Sequence, residues 1–269
     1  MNQFHKNVLL FSLLFFANCS LLPTVKSKYK YDSEIKELDI QNHIKFLSSD
    51  ELEGRFPGSK GSELAIQYMV DRFKESKLLP FESNSFLQFF EFSNIKKDNY
   101  KVANVVGYIP GLINKNEFIV IGAHFDHLGY GGPHSGSLDM NSREIHNGAD
   151  DNASGVAGML ELASKLSLNR DKLNRSIIFV GFNAEEQGIL GSKYFVENFP
   201  SSKQNIITMI NMDMIGRMKN LSLNVSGTGT SPVFDKLLDK TASKHFLNIK
   251  KSPGGSGPSD HSSFYSNDI

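Results

Sequence analysis

Two continuous apolar runs, Phe118-Ile119-Val120-Ile121 and Ile177-Ile178-Phe179-Val180, constrain this chain more than any other feature. Each has the length of a strand and lacks the polar alternation of a strand with one wet face, so each reads as buried on both sides. Ile206 to Met212 reads as a third buried strand, and Val102 to Tyr108, closed by Pro110-Gly111, as a fourth. Segments of helical period lie among them. Ser62 to Leu79 sets Leu64, Ala65, Tyr68, Met69 and Phe73 on one side, and Val156 to Leu166 and Gly188 to Asn198 follow. Glu34 to Leu47 has roughly helical spacing with a break near Asp39. Strands alternating with helices predict an α/β fold with a mixed, largely parallel central sheet and helices on both faces. A length of 269 residues suits one large domain, and an apolar content of 39% gives it an ordinary globular core.

The first nineteen residues differ from the rest. Lys6 is their only Lys or Arg, and the apolar run Val8 to Ala17 has the length of a signal-peptide core and is too short to span a bilayer comfortably. The single cysteine, Cys19, closes Phe16-Ala17-Asn18-Cys19, which resembles a bacterial lipobox. The expected organisation is a signal peptide over 1–18, a lipidated N-terminus and tether over 19–33, and a globular domain over 34–269. That organisation implies export and membrane attachment in the cell envelope through Cys19, with no disulfide to support the fold. Lys plus Arg and Asp plus Glu both number 29, so no global field draws in nucleic acid, and no nucleic-acid partner is expected.

Four acidic or histidine clusters follow the strands or open a helix, and ligands of open α/β sheets bind beyond the carboxyl ends of the strands. His124-Phe125-Asp126-His127 follows one strand, and a carboxylate at Asp126 is placed to hydrogen-bond the far ring nitrogen of His124. Asp150 and Asp151, in Asn147-Gly148-Ala149-Asp150-Asp151-Asn152-Ala153-Ser154-Gly155, precede a helix. One carboxylate there serves as a cap, whereas a pair points to metal, since a carboxylate can bridge two ions. Glu185 and Glu186 end the Ile177 strand. Adjacent carboxylates there repel unless a cation or proton compensates, which suits one to a metal and the other to general-base work. Asp213 ends the Ile206 strand, where a buried Asp is rarely left unpaired.

These clusters resemble the M28 family of co-catalytic zinc aminopeptidases: H-x-D, D-x-x-S-G, E-E and N-x-D-M-I-G in that order. The resemblance extends to Gly54-Arg55-Phe56-Pro57-Gly58, to Asn104 through Gly111, and to Ser259-Asp260-His261-Ser262-Ser263-Phe264, and so covers roughly Ile40 to Ile269. It implies a zinc exopeptidase fold, peptide substrates and two Zn²⁺ ions. His124 and Asp213 are implied as ligands of one ion, Asp151 as the bridge, Glu186 as ligand of the second, Glu185 as general base and Asp126 as the group that orients His124. Asp150, Asp260 and His261 are implied to lie behind the ligands or near substrate. In the family a further strand and a final His follow the S-D-H-x-x-F segment, whereas this sequence ends at Ile269. The domain is therefore expected to be incomplete at its C-terminus, with weak second-site binding.

His127, His134 and His146 are read as part of the long polar loop that flanks the site. The nearest rival enzyme is a single-zinc glutaminyl cyclase, which shares the fold. The rival of another class is a non-catalytic lipoprotein that retains the fold for binding. A serine hydrolase is disfavoured by the absence of G-x-S-x-G, and Gly227-Thr228-Gly229 lacks the third glycine of a dinucleotide loop.

Overall fold

The computed structural model describes residues 34–82, 84–93, 98–132, 135–141 and 143–269. The expected signal peptide, Cys19 and the tether lie outside the described residues, as does His134. Helix α1 (Glu37–Leu47) runs without the expected break, because Asp39 falls in its first turn, where a carboxylate is favoured by the helix dipole. Helix α2 (Lys60–Glu75) is capped by Ser59, whose side chain accepts the Ser62 amide. Strands β1 (Leu79–Pro80), β2 (Leu87–Ser93), β3 (Asn99–Ile109) and β4 (Asn114–His124) follow. Next come α3 (Gly155–Leu168), β5 (Arg175–Phe182), α4 (Leu190–Glu197) and β6 (Ile206–Asn211). The last segment holds β7 (Ser222–Ser226), α5 (Phe234–His245), β8 (Asn248–Ser252) and α6 (His261–Tyr265).

The six-stranded sheet has the order β1-β3-β5-β4-β6, with β2 also paired to β3. The centre is parallel, β4 lying between β5 and β6, while β3 runs antiparallel to β5 and carries β1 and β2 antiparallel to itself. This is the α/β class expected, with a parallel core and an antiparallel margin. β7 and β8 form a separate parallel pair. Among the described residues no helix is long and apolar enough to cross a membrane.

Two hydrophobic cores follow from the strand period of two. Ile177 and Phe179 of β5 and Ile121 and Ala123 of β4 turn to one face, against Met69 and Phe73 of α2 and Val156, Met159 and Leu160 of α3. Ile178, Val180 and Phe182 of β5 and Phe118 and Val120 of β4 turn to the other, against Phe195 and Val196 of α4 and Phe264 of α6. Each large side chain removed from water in this way contributes roughly 1.5–3 kcal/mol. The apolar runs are apolar throughout because both faces are covered.

One glycine decides how closely α3 approaches the end of β6. A Cβ on Gly155 would lie 2.2 Å from the Met212 carbonyl oxygen, a contact with backbone that cannot swing away. Glycine at this position therefore lets the loop that carries Asp151 abut the loop that carries Asp213. Gly155→Ala is expected to destabilise the protein by about 1–3 kcal/mol through overpacking. Gly254→Ala, with open space around its Cβ, should stay within about 0.5 kcal/mol in the same chemical unfolding assay.

Candidate active site

The three parallel strands end at one level. His124 closes β4 opposite Phe182 at the end of β5, and Gly122 lies opposite Asn211 at the end of β6. The ladder continues one step further on each side, with the Phe125 amide donating to the Phe182 carbonyl at 3.0 Å and the Met212 amide to the Gly122 carbonyl at 2.9 Å. The chain then splays, and the side chains beyond the strand ends meet.

Asp126 is fully buried beneath this meeting point. Its Oδ1 accepts the Glu185 amide at 3.0 Å and its Oδ2 the Glu186 amide at 3.2 Å, so one carboxylate fixes the loop after β5 to the loop after β4. The expectation that this carboxylate hydrogen-bonds the far ring nitrogen of His124 is corrected. His124 Nδ1 lies 3.8 Å from Asp126 Oδ1 and instead faces the Asp126 main-chain carbonyl at 3.3 Å. The physical reason is competition: both carboxylate oxygens are taken by amides that the register of β4 and β5 delivers to them.

On the solvent side of His124, Nε2 lies 3.3 Å from Asp151 Oδ1 and 3.5 Å from Asp213 Oδ1. Ligands at 2.0–2.1 Å from a tetrahedral ion sit about 3.3 Å from one another, so the spacing suits one ion among these three atoms. Asp213 Oδ1 is buried, facing the His124 imidazole at 3.5 Å without a full hydrogen bond, and such an acceptor suits a cation. Glu185 Oε2 faces the same imidazole at 4.0 Å. A second group, His127, Asp151 and Glu186, shares Asp151 with the first. His127 lies in the loop that flanks the site, and its Nδ1 is 2.7 Å from Glu186 Oε1, because Asp126, its neighbour in sequence, holds the Glu186 amide beside it.

The remaining sequence candidates surround these groups. Asp150 turns away from both, its Oδ1 accepting the Gly216 amide at 2.9 Å, and so braces the segment after Asp213. Asp260 is fully buried at the start of α6, and neither of its carboxylate oxygens has a hydrogen-bond partner. His261 is half-buried beside the charge of Asp213, and its buried Nε2 is also without a partner. His146 lies edge-on to His127, with ring centroids 6.4 Å apart.

Sequence reasoning missed three residues that position the site. Arg55 is fully buried; its Nε donates to the Phe125 carbonyl at 2.7 Å, Nη1 to Asn147 at 2.7 Å and to Leu47, and Nη2 to Gly148 at 2.9 Å. It thereby joins the end of α1 to the loops of His124 and Asp151. Asn152 donates to the Met212 carbonyl at 2.9 Å and accepts the Gly155 and Met214 amides at 3.0 and 3.2 Å, tying the Asp151 loop to the Asp213 loop. Asn104 of β3 accepts the Asn183 amide at 3.0 Å and donates to Gly191, fixing the start of the Glu185 loop. All three lay in the motifs that carry the resemblance, but their types alone do not mark them. An arginine in a Gly-Pro loop ordinarily reads as solvated.

Charge is concentrated here. Burial, opposed by His124 and reinforced by Asp260, Asp126 and Glu186, lifts the Glu185 carboxyl to about 8. Burial lifts Asp126 to about 6 and Asp260 to about 7, in each case against the attraction of His124. Burial would lower His124, but Asp151, Asp213, Asp126 and Asp260 outweigh it and hold the imidazole well above its ordinary value. Burial would raise Asp213, yet facing His124 leaves it below the usual carboxylate range. Burial draws Arg55 down to about 10, which still leaves it charged at neutral pH.

The sequence pattern of Peptidase family M28 matches residues 104–269, and the chain belongs to that family. Among curated proteins it is similar to a probable zinc metalloprotease of Phaeosphaeria nodorum, 26% identical over 202 residues that cover 70% of this chain and 40% of that protein. It is also similar to leucine aminopeptidase 1 of Trichophyton equinum, 30% identical over 129 residues that cover 46% of this chain and 32% of that one. The chain thus spans less than half the length of these relatives. In fold it resembles the LapA aminopeptidase of Legionella pneumophila, with TM-score 0.64, 20% identity and coverage of 91% of this chain and 65% of that one. It resembles the glutaminyl cyclase of Porphyromonas gingivalis similarly, with TM-score 0.68, 20% identity and coverage of 86% and 78%. The expected α/β architecture with a parallel-centred sheet is therefore the observed one, and these structures share it.

The shifts give metal-free protein a pH dependence of defined sign. Glu185, Asp126 and Asp260 bind protons more tightly folded than unfolded, so each costs stability as pH rises from its unfolded value toward its folded one. His124 acts in the same sense, stabilising below its unfolded value and losing that contribution as pH rises through its folded one. His261, lowered by burial, opposes them below its ordinary value. The carboxylates and His124 outnumber it, so chelator-treated protein should melt at a higher temperature near pH 5 than near pH ~8. A divalent cation added at the higher pH should restore the melting temperature; a profile that rises with pH would contradict the charge distribution described.

Proposed function

We propose that the chain is a zinc-dependent aminopeptidase that hydrolyses N-terminal residues from peptides, with Glu185 as general base. The observation that carries this reading is the first group of ligand atoms. His124 Nε2 stands 3.3 and 3.5 Å from Asp151 Oδ1 and from the buried Oδ1 of Asp213, with Glu185 poised 4.0 Å away. One imidazole with carboxylates is a donor set that suits zinc. The names of the metalloprotease and aminopeptidase relatives support the same metal and the same end of the peptide.

Zinc, when bound, supplies Lewis acidity at the scissile carbonyl and lowers the pKa of water beside Glu185. The chain's own residues do the rest. Glu185 takes a proton from the attacking water as the new C–O bond forms and returns it to the leaving amine as the C–N bond breaks. Its burial keeps it basic enough to take that proton. Asp126 holds the Glu185 amide, and with it the base, at a fixed depth. Asp151 belongs to both ligand groups, which supports a co-catalytic pair of ions over a single one.

Aminoacyl chromogenic substrates are expected to be cleaved by purified protein, with loss of activity in chelator and recovery on adding zinc. Glu185→Gln should lower kcat by about 10²–10⁴-fold while zinc content stays unchanged. Cyclisation of N-terminal Gln peptides without release of any free amino acid would instead identify a glutaminyl cyclase, and full activity in Glu185→Gln would remove the proposed base.

A further inference from the structure

The turn between β3 and β4 lies at the end of the sheet opposite the candidate active site, since β4 starts there at Asn114 and reaches the site at His124. An extended strand of that length sets its two ends roughly 30 Å apart. The turn is Gly111-Leu112-Ile113, and its two aliphatic side chains stand in solvent, 54% and 71% exposed. The backbone beneath them is fixed. The Leu112 amide donates to the Leu173 carbonyl at 2.8 Å, and the Ile113 and Asn114 amides to the Asn174 carbonyl at 3.1 and 2.8 Å. A braced turn thus holds adjacent Leu and Ile side chains out of the core.

Cations surround this pair. Lys115 follows it, its carbonyl accepting the Ser176 hydroxyl at 2.8 Å, and Lys172 precedes Leu173 on the segment to which the turn is bonded. Arg170 lies on the same segment, and its Nη2 reaches the Lys77 carbonyl at 3.4 Å, which brings Lys77 to this end as well. All four side chains are exposed. Lys172 and Arg170 donate to the neutral oxygens of Asn169 and Ser167. The carboxylates nearby are mostly spent: Glu117 on Arg175 at 2.6 Å and Glu75 on Arg72 at 2.7 Å. Asp171 is the carboxylate that remains on segments 76–79, 111–117 and 168–175, against those four cations.

We propose that this turn is a docking tip for an anionic bilayer surface, with Leu112 and Ile113 entering the acyl boundary and Lys77, Lys115, Arg170 and Lys172 meeting the headgroups. Charge complementarity selects that occupant. Aliphatic side chains gain nothing among the phosphates of a nucleic acid, whereas a bilayer offers an apolar layer beneath an anionic one. The tip carries its apolar pair and its cations in the matching order. Docked in this way, the carboxyl ends of β4, β5 and β6 face away from the lipid. The surface is separate from the anchor expected at Cys19.

The full chain with Cys19→Ser tests this, because Ile113→Cys then carries its one thiol, which is labelled with an environment-sensitive fluorophore. With vesicles containing phosphatidylglycerol, the emission should shift to the blue and be quenched by nitroxide-bearing acyl chains. Pure phosphatidylcholine vesicles should leave it unchanged. A label at Leu138→Cys, exposed in the loop that flanks the site, should respond to neither. Lys115→Glu combined with Lys172→Glu should lower the ratio of docked to free tip by at least about 25-fold, since each basic residue near such a surface contributes roughly fivefold. Both positions are exposed, so the melting temperature should not move. Equal responses at positions 113 and 138, no response at 113, equal responses to the two lipids, or a response that survives the double charge reversal would each overturn the proposal. A blue shift in buffer alone that grows with protein concentration would overturn it too, by assigning the tip to a second copy of the chain.

Discussion

The arrangement of this end of the sheet depends on the burial of negative charge. Parallel strands β4, β5 and β6 finish at the same level, and Asp126, Glu185, Asp213 and, from α6, Asp260 are brought together there with Asp151 from the loop before α3. Burial raises the proton affinities of Asp126, Glu185 and Asp260, and repulsion from neighbouring carboxylates adds to it. Main-chain donors and Arg55 offset part of it. Asp126 is answered by two amides, and the Arg55 cation lies near Asp126, Asp151 and Glu186. The rest is left open at specific atoms: both oxygens of Asp260 make no hydrogen bond, and Asp213 Oδ1 has only the His124 imidazole at 3.5 Å. A fold that buries unpartnered acceptors at a shared rim, beside two imidazoles, is organised for cations.

Rigidity serves that organisation. Arg55 and Asn152 make their hydrogen bonds to main-chain atoms, and Asn104 to main-chain atoms and the Gln88 side chain, rather than to the ligands. Each fixes where a ligand-bearing loop leaves its strand or helix. The placement of His124, Asp151, Glu186 and Asp213 is therefore a property of the scaffold, as pre-organised sites require. Removing the Arg55 side chain would leave carbonyls of two loops and of the end of α1 without their donor, a cost of stability as well as geometry.

The fold class was legible because both faces of the central strands are covered. That turned β4 and β5 into unbroken apolar runs and left little alternative to a parallel core. β2 was overlooked although Leu87 to Phe92 forms a strand, since its mixed aromatic and polar residues sit at a sheet margin where burial is uneven. The segment with β7, α5 and β8 was unread for a related reason: α5 has no buried residue, so no apolar stripe marked it. The site's acids were legible from their position after the strands. His127 was not, because its role depends on a loop 59 residues away in sequence, and an imidazole in a polar loop carries no signal of what it will face. The partner of Asp126 was misread because main-chain amides are invisible to a search for side-chain pairs.

The central claim is that His124, Asp151 and Asp213 hold a zinc ion at the carboxyl end of the sheet. Anomalous diffraction at the zinc absorption edge, on crystals of the protein grown with zinc, addresses it directly. The account predicts an anomalous peak within about 2.0–2.2 Å of His124 Nε2 and of oxygens of Asp151 and Asp213. A well-ordered site with no peak there, or zinc bound only elsewhere, would contradict it.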